Sequence, residues 1–381
     1  MTVSAEKKKK DLSNNSIDFI LLIDVLIMLA LGLVMVMSAS SPTSLSETGK
    51  SYTYVKTQAI SAVMGLVGMF IISKIDYKIY KKFYKIIYII IIVLLASVAV
   101  IGKEVGGAKR WIDLKFISFQ PSELAKIGLI IFYSALLTNN KDRLEKLWGG
   151  FFYPIAFLLP IIAILIGVQN HLSATILIVL IVAVLMLMAG SRLRYFLTIG
   201  LTGATLGGAA LLIYAKLTGE GLFRIQRLVT FLDPFADTQG AGWQIIQSLY
   251  AIGSGGLFGV GLGNSTQKYL YLPEAHNDFI FSILAEELGF IGCIVVIALF
   301  AVFIWRGIII AMKAKDMFSS LLAAGITTMV GLQAIINIAV VTSSMPNTGM
   351  PLPFFSYGGT ALLILLCSVG ILLNISRCAK K

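Results

Sequence analysis

The stretch IDFILLIDVLIMLALGLVMVM, residues 17–37, decides how the whole chain is read. Lys7 to Lys10 precede it and MSASS overlaps its end, the outline of a secretory signal. Its apolar run of about 20 residues is too long for a signal h-region and right for a helix across a bilayer. It therefore reads as an uncleaved first span, and similar runs follow it.

Composition agrees. The chain has 381 residues, 57% hydrophobic and only 13% charged, about half the charged share of a soluble domain. The net charge of +12 argues for cytoplasmic loops rich in Lys and Arg, not for nucleic acid. Cys293, Cys367 and Cys378 form no CxxC or Cys/His spacing, so neither a disulfide framework nor a structural zinc is expected.

Apolar segments place spans at 17–39, 57–74, 84–102, 121–138, 151–168, 171–189, 194–217, 278–305, 317–343 and 354–376. The expected fold is an all-α polytopic membrane protein of about ten transmembrane helices. With both termini inside, 20 of the 31 Lys and Arg fall on the inner side, mostly in short loops, as the positive-inside rule requires. The chain is one membrane domain, 1–381. It has cytoplasmic tails at 1–16 and 377–381 and a long fourth outer loop at 218–277.

Three polar constellations fall on the outer side. The first is GGAKRWIDLKFISFQPSELAK, 106–126. Lys109, Arg110 and Trp111 lie in its loop, and Gln120, Pro121, Ser122, Glu123 and Lys126 open a helix. Glu123 and Lys126 share a face at i, i+3, which suits either a self-neutralising structural pair or the wall of a polar cavity. The second joins Arg224, Arg227 and Lys268 to the cluster Glu274, His276 and Asp278. Asp278 suits a helix cap; in an apolar cleft it also suits a general base. Glu286 and Glu287, farther into the same apolar segment, suggest a buried polar network. The third is NTGMPLPFFSYGGT, 347–360, where Gly and Pro break the chain before Ser356 enters the last span. The glycines of GSGGLFGVGLG, 253–263, lack the context of a phosphate loop and read as a flexible re-entrant or surface hairpin.

Together, RWI…FQPSELAK (110–126), QSLYAIGSGGLFGVGLGNSTQKYLYLPEAHNDFIFSILAEELGFIG (247–292) and NTGMPLPFFSYGGTAL (347–362) resemble the SEDS family, the RodA, FtsW and SpoVE proteins. The resemblance covers nearly the whole chain, and 247–292 is nearer the division and sporulation branch. It implies a peptidoglycan glycosyltransferase in the bacterial cytoplasmic membrane, polymerising lipid II on the outer face. The family's essential aspartate falls on Asp278, and its charged cavity pair on Glu123 and Lys126. Partners implied are lipid II, the nascent glycan strand and a class B penicillin-binding protein. One departure matters: relatives commonly read Gln-Pro-Asp-Leu-Gly where this chain has QNHLS, so Asn170 and His171 replace proline and aspartate. An acidic role does not transfer to His171.

On that reading Asp278 is the base of an inverting transfer that releases undecaprenyl pyrophosphate. Arg110, Trp111, Gln120, Glu123, Lys126, Arg224, Arg227, Lys268, Glu274, His276 and Ser356 are the candidate substrate-binding residues. No protein metal cage is expected; a divalent cation, Mg or Mn, bridging to the substrate pyrophosphate is the one candidate cofactor. Two other functions use the same spans: a lipid II flippase, which would want polar access from both sides, and a non-catalytic scaffold for a penicillin-binding protein, in which Asp278 would be dispensable.

Overall fold

The structure, a computed structural model, describes residues 17–379 apart from 106–107, 114–117, 199, 201–230, 232 and 237–241. Nine helices among the described residues are long and apolar enough to cross a membrane. They include α1 (Phe19–Thr48), α2 (Thr53–Ile72), α3 (Lys78–Ile101), α4 (Pro121–Asn139), α5 (Tyr153–Gly167, entered by a π turn at Trp148–Phe152) and α6 (Leu172–Ala189). A shorter helix, α7 (Trp243–Ser254), precedes α8 (Ile280–Met312), α9 (Met317–Val341) and α10 (Gly359–Cys378). The span expected at 194–217 falls mostly outside the described residues, as do Arg224 and Arg227.

The core is built on α4 and α9, which are buried over most of their length, whereas α2, α3 and α8 show apolar side chains outward. That inverted exterior suits lipid contact. Helices α2 and α10 approach closely because small residues line their seam. A Cβ on Gly370 would lie 2.6 Å from the Met69 carbonyl oxygen, a backbone clash that makes glycine necessary there. At the inner end, Asp18 caps α1 by accepting from the Leu21 N–H at 3.1 Å. The same carboxylate pairs with Arg306 of α8 at 2.6 Å, tying the two helices together.

The outer end carries a feature that the helix count alone does not reveal. Strands β1 (Gly102–Val105), β2 (Ala108–Asp113) and β3 (Ser118–Phe119) form an antiparallel meander between α3 and α4. Ile112, opposite Phe119, is buried. The Gly-Gly dipeptide between β1 and β2 was the available hairpin signal.

Helix α8 is broken. Gly289 has φ 68° and ψ −168°, a conformation open to glycine but not to side-chain-bearing residues. The break strands backbone groups at membrane depth, where they must find protein partners. The glycine-rich segment supplies them. Val260 and Gly261 N–H donate to the Glu286 and Glu287 carbonyls, and Phe290 and Ile291 N–H donate to the Gly256 and Leu257 carbonyls. The 253–263 hairpin is thus re-entrant and stitched into the broken helix.

Two loops end later than the apolar runs suggest. α6 starts at Leu172 and α8 at Ile280, which leaves His171 and Asp278 in the loops that precede their spans.

Candidate active site

A cavity of about 1090 Å³ opens at the outer end, between the meander, α2, α4, α10 and the 349–360 segment. Its polar wall holds Arg110, Trp111, Gln120, Glu123, Lys126, His171, Glu274, Asp278 and Ser356. Residues from four distant stretches of sequence therefore share one wall. Lys126 pairs with Glu123 at 2.7 Å, and both are largely buried; the i, i+3 spacing on α4 aligns them.

Asp278 is held through its backbone. Three successive carbonyls are each clamped: His276 O accepts from the Tyr357 N–H at 2.9 Å, Asn277 O from the Ser356 hydroxyl at 2.7 Å, and Asp278 O from the Asn337 amide at 2.7 Å. Gln58 of α2 secures the clamp itself, donating to Ser356 O and accepting from Gly358 N–H, both at 3.1 Å. The carboxylate lies against the 347–351 turn, where a Cβ on Gly349 would be 3.2 Å from Asp278 Oδ2. Burial pushes the Asp278 carboxyl up to about 7, with Glu274 adding to the rise and Arg110 opposing it. An acid so placed exchanges a proton near neutral pH.

Asn337 was missed in the sequence because it is one polar residue inside a long apolar span; that isolation is itself the signal. Its amide bridges Asp278 O and Met350 O, each at 2.7 Å. Asn337→Leu removes both bonds and frees the carboxylate's backbone. The expected loss of turnover is about 10- to 100-fold, by the cost of misplacing a reacting group. A rate assay beside a thermal melt checks it: a rate that falls only in step with folded protein contradicts a positioning role.

Two expectations are corrected. Lys268 does not reach the cavity wall. Its ammonium is buried against Glu287 at 2.9 Å and also donates to Ser38 at 3.1 Å. Ser38 donates to both Glu287 carboxylate oxygens, while Ser265 and Thr266 serve Glu286. This network fastens the re-entrant hairpin to α1 and α8, so Lys268 is spent on structure. His276 is likewise behind the wall, its ring packed on Tyr54 and Tyr357 with centroids at 5.0 and 5.8 Å. Burial lowers its pKa and keeps it neutral, so it acts as packing for the Asp278 loop. Lys109 is exposed in β2.

A profile of the family described as "Cell cycle protein", covering FtsW, RodA and SpoVE, matches residues 19–381. A probable peptidoglycan glycosyltransferase FtsW of Geobacter sp. (strain M18) is 41% identical over 361 residues, 94% of this chain and 96% of that protein. Stage V sporulation protein E of Bacillus subtilis (strain 168) is 40% identical, over 94% and 97% of the two chains. Among solved structures, a chain from a study of polymerization and crosslinking by a peptidoglycan synthase complex superposes with TM-score 0.77 at 28% identity, covering 95% of this chain and 98% of its own. The rod shape determining protein RodA of Thermus thermophilus gives TM-score 0.70 at 26% identity, over 96% and 98%.

Proposed function

The chain belongs to the FtsW, RodA and SpoVE family of multi-pass membrane proteins, and we propose that it is a peptidoglycan glycosyltransferase that polymerises lipid II at the cavity around Asp278. The observation that carries the assignment of the base is the triple backbone clamp, which fixes one acid of near-neutral pKa in a cavity wall beside cations.

Asp278 takes the proton from the GlcNAc 4-hydroxyl of the acceptor. The freed oxygen attacks the anomeric carbon of MurNAc at the reducing end of the donor strand. A β-1,4 bond forms with inversion, and the α-linked diphosphate leaves with the electron pair of its C–O bond. One base suffices for a single displacement. The diphosphate already departs readily, so it needs charge neutralisation rather than a general acid, and Arg110, which lines the cavity, is the cation we assign to it. Lys126 is offset by Glu123 and reads as a positioning pair. The cavity continues along Ile60 and Met64 of α2 and Leu363 and Ile364 of α10, an apolar track suited to an isoprenoid tail.

The described residues hold no cluster of three or more His, Cys, Asp or Glu suited to a resident ion. Mg or Mn would arrive with the diphosphate and add charge neutralisation; no step above depends on it. The charge bias and outer-end cavity support a cytoplasmic-membrane location with the site facing outward. A class B penicillin-binding protein remains the expected partner, and the solved relative's setting in a synthase complex supports that expectation.

The pH profile of strand synthesis tests the base. Because the Asp278 carboxyl is raised to about 7 and only its ionised form accepts a proton, kcat/KM is expected to fall about tenfold per unit below that pH and to level off above it. A profile flat down to about pH 5, two units below the raised value, would remove Asp278 from the proton transfer.

A further inference from the structure

His171 belongs to none of the groups used above, yet it is built into the cavity wall. It is 8% exposed, its Nδ1 is buried without a partner, and it lines the cavity. No hydrogen bond from its Nε2 occurs among the described residues. Nδ1 is the buried atom that lacks a partner, and Nε2, also unbonded among the described residues, is the ring nitrogen left open to a ligand in the cavity.

Its surroundings say what that partner is. His171 is the N-cap residue of α6, an 18-residue helix, and makes no side-chain cap bond. The positive end of the helix dipole and its first amides therefore lie beside the ring. Arg110 reaches the same turn, donating to Gln169 O at 3.3 Å and to Asn170 O at 2.8 Å. Arg110 and Lys126 are close enough to join burial in holding the His171 ring neutral. The corner is also tied to the reacting centre. Ser173, in the first turn of α6, donates to Thr348 O, one residue from the glycine that abuts Asp278. A helix N-terminus, a guanidinium and an unsatisfied neutral donor converge on one cavity corner beside the base. Each of the three favours an oxyanion.

We infer that His171, with the N-terminus of α6 and Arg110, forms the subsite for the diphosphate of the polyprenyl-linked donor, His171 donating through Nε2–H. This rests on the glycosyltransferase reading, and it adds a substrate-positioning residue that the reading does not require.

The test separates binding from turnover. The full-length protein in detergent, carrying Asp278→Asn to prevent reaction, is titrated with undecaprenyl diphosphate, undecaprenol and inorganic pyrophosphate. His171→Ala is expected to weaken undecaprenyl diphosphate about tenfold, the usual cost of losing a hydrogen bond to a charged group. His171→Asp is expected to weaken it about a hundredfold by like-charge repulsion in the buried corner. His171→Asn, which keeps a neutral donor, restores most of the affinity, and undecaprenol binds all variants alike. The same ranking with inorganic pyrophosphate places recognition in the diphosphate itself; the ranking with the lipid alone places it in the tethered headgroup. Either supports the subsite. Equal diphosphate affinity in wild type, His171→Ala and His171→Asp, each with an unchanged melting temperature, overturns it. If His171→Ala fails to fold, the Asn and Asp pair decides alone. Strand synthesis by the wild-type protein, measured in parallel, shows separately whether the glycosyltransferase reading stands.

Discussion

Asp278→Asn is expected to lower strand synthesis at least a thousandfold while leaving the protein folded. The amide keeps the volume of the carboxylate but cannot take a proton, and general base catalysis supplies roughly 10²- to 10⁴-fold. The backbone clamp from Tyr357, Ser356 and Asn337 acts on carbonyls and not on the side chain. The substitution therefore leaves the loop in place. Raising the pH should not rescue the variant, because an amide does not ionise. Measured with purified wild-type and variant protein at pH 6 and pH 8, the ratio of rates reports the base directly. A variant retaining a tenth of wild-type activity would mean that another group accepts the proton.

The second large effect concerns stability. Among the described residues, Lys268→Ala leaves the Glu287 side chain, fully buried at 0% exposure, with Ser38 and the Ser265 N–H as its remaining partners. An uncompensated buried charge costs about 3–5 kcal/mol. The loss should appear first as release of the re-entrant hairpin, since the network fastens that segment to α1 and α8. Early proteolysis within 255–272 and a lower melting temperature check it. The double variant Lys268→Met, Glu287→Gln should recover much of the loss, because removing both charges removes the penalty. A double variant as unstable as the single would show that the ion pair is not what holds the hairpin.

Much of this fold could be read in the chain because bilayer physics writes long apolar runs. Even α4, the least apolar of the spans, was placed within a residue at its start, because Pro121 marks N1. The pairing of Glu123 with Lys126 was legible for a similar reason: helical spacing is local. Lys268 was not. Its partner lies 19 residues away on α8, and the path of the intervening loop, not a helical spacing, brings the two together. Spacing could not tell a cation committed to a buried carboxylate from one facing substrate. His276 misled in the same way, because closeness to Asp278 in sequence did not bring its ring into the cavity wall; it packs on Tyr54 and Tyr357 instead. Asn337 of α9 bonds the Asp278 carbonyl and Gln58 of α2 bonds the backbone of Ser356 and Gly358 behind it, contacts that leave no pattern beyond a lone polar residue in an apolar helix.

The measurement that bears most directly on the central claim is strand formation from lipid II by the purified protein, with and without a class B penicillin-binding protein. Moenomycin is included to silence polymerases of the other class. Ladders of glycan strands from wild type, absent with Asp278→Asn, are the predicted result. No ladders under any condition, together with transbilayer movement of labelled lipid II in liposomes containing the protein, would contradict the account and make the cavity a transport route.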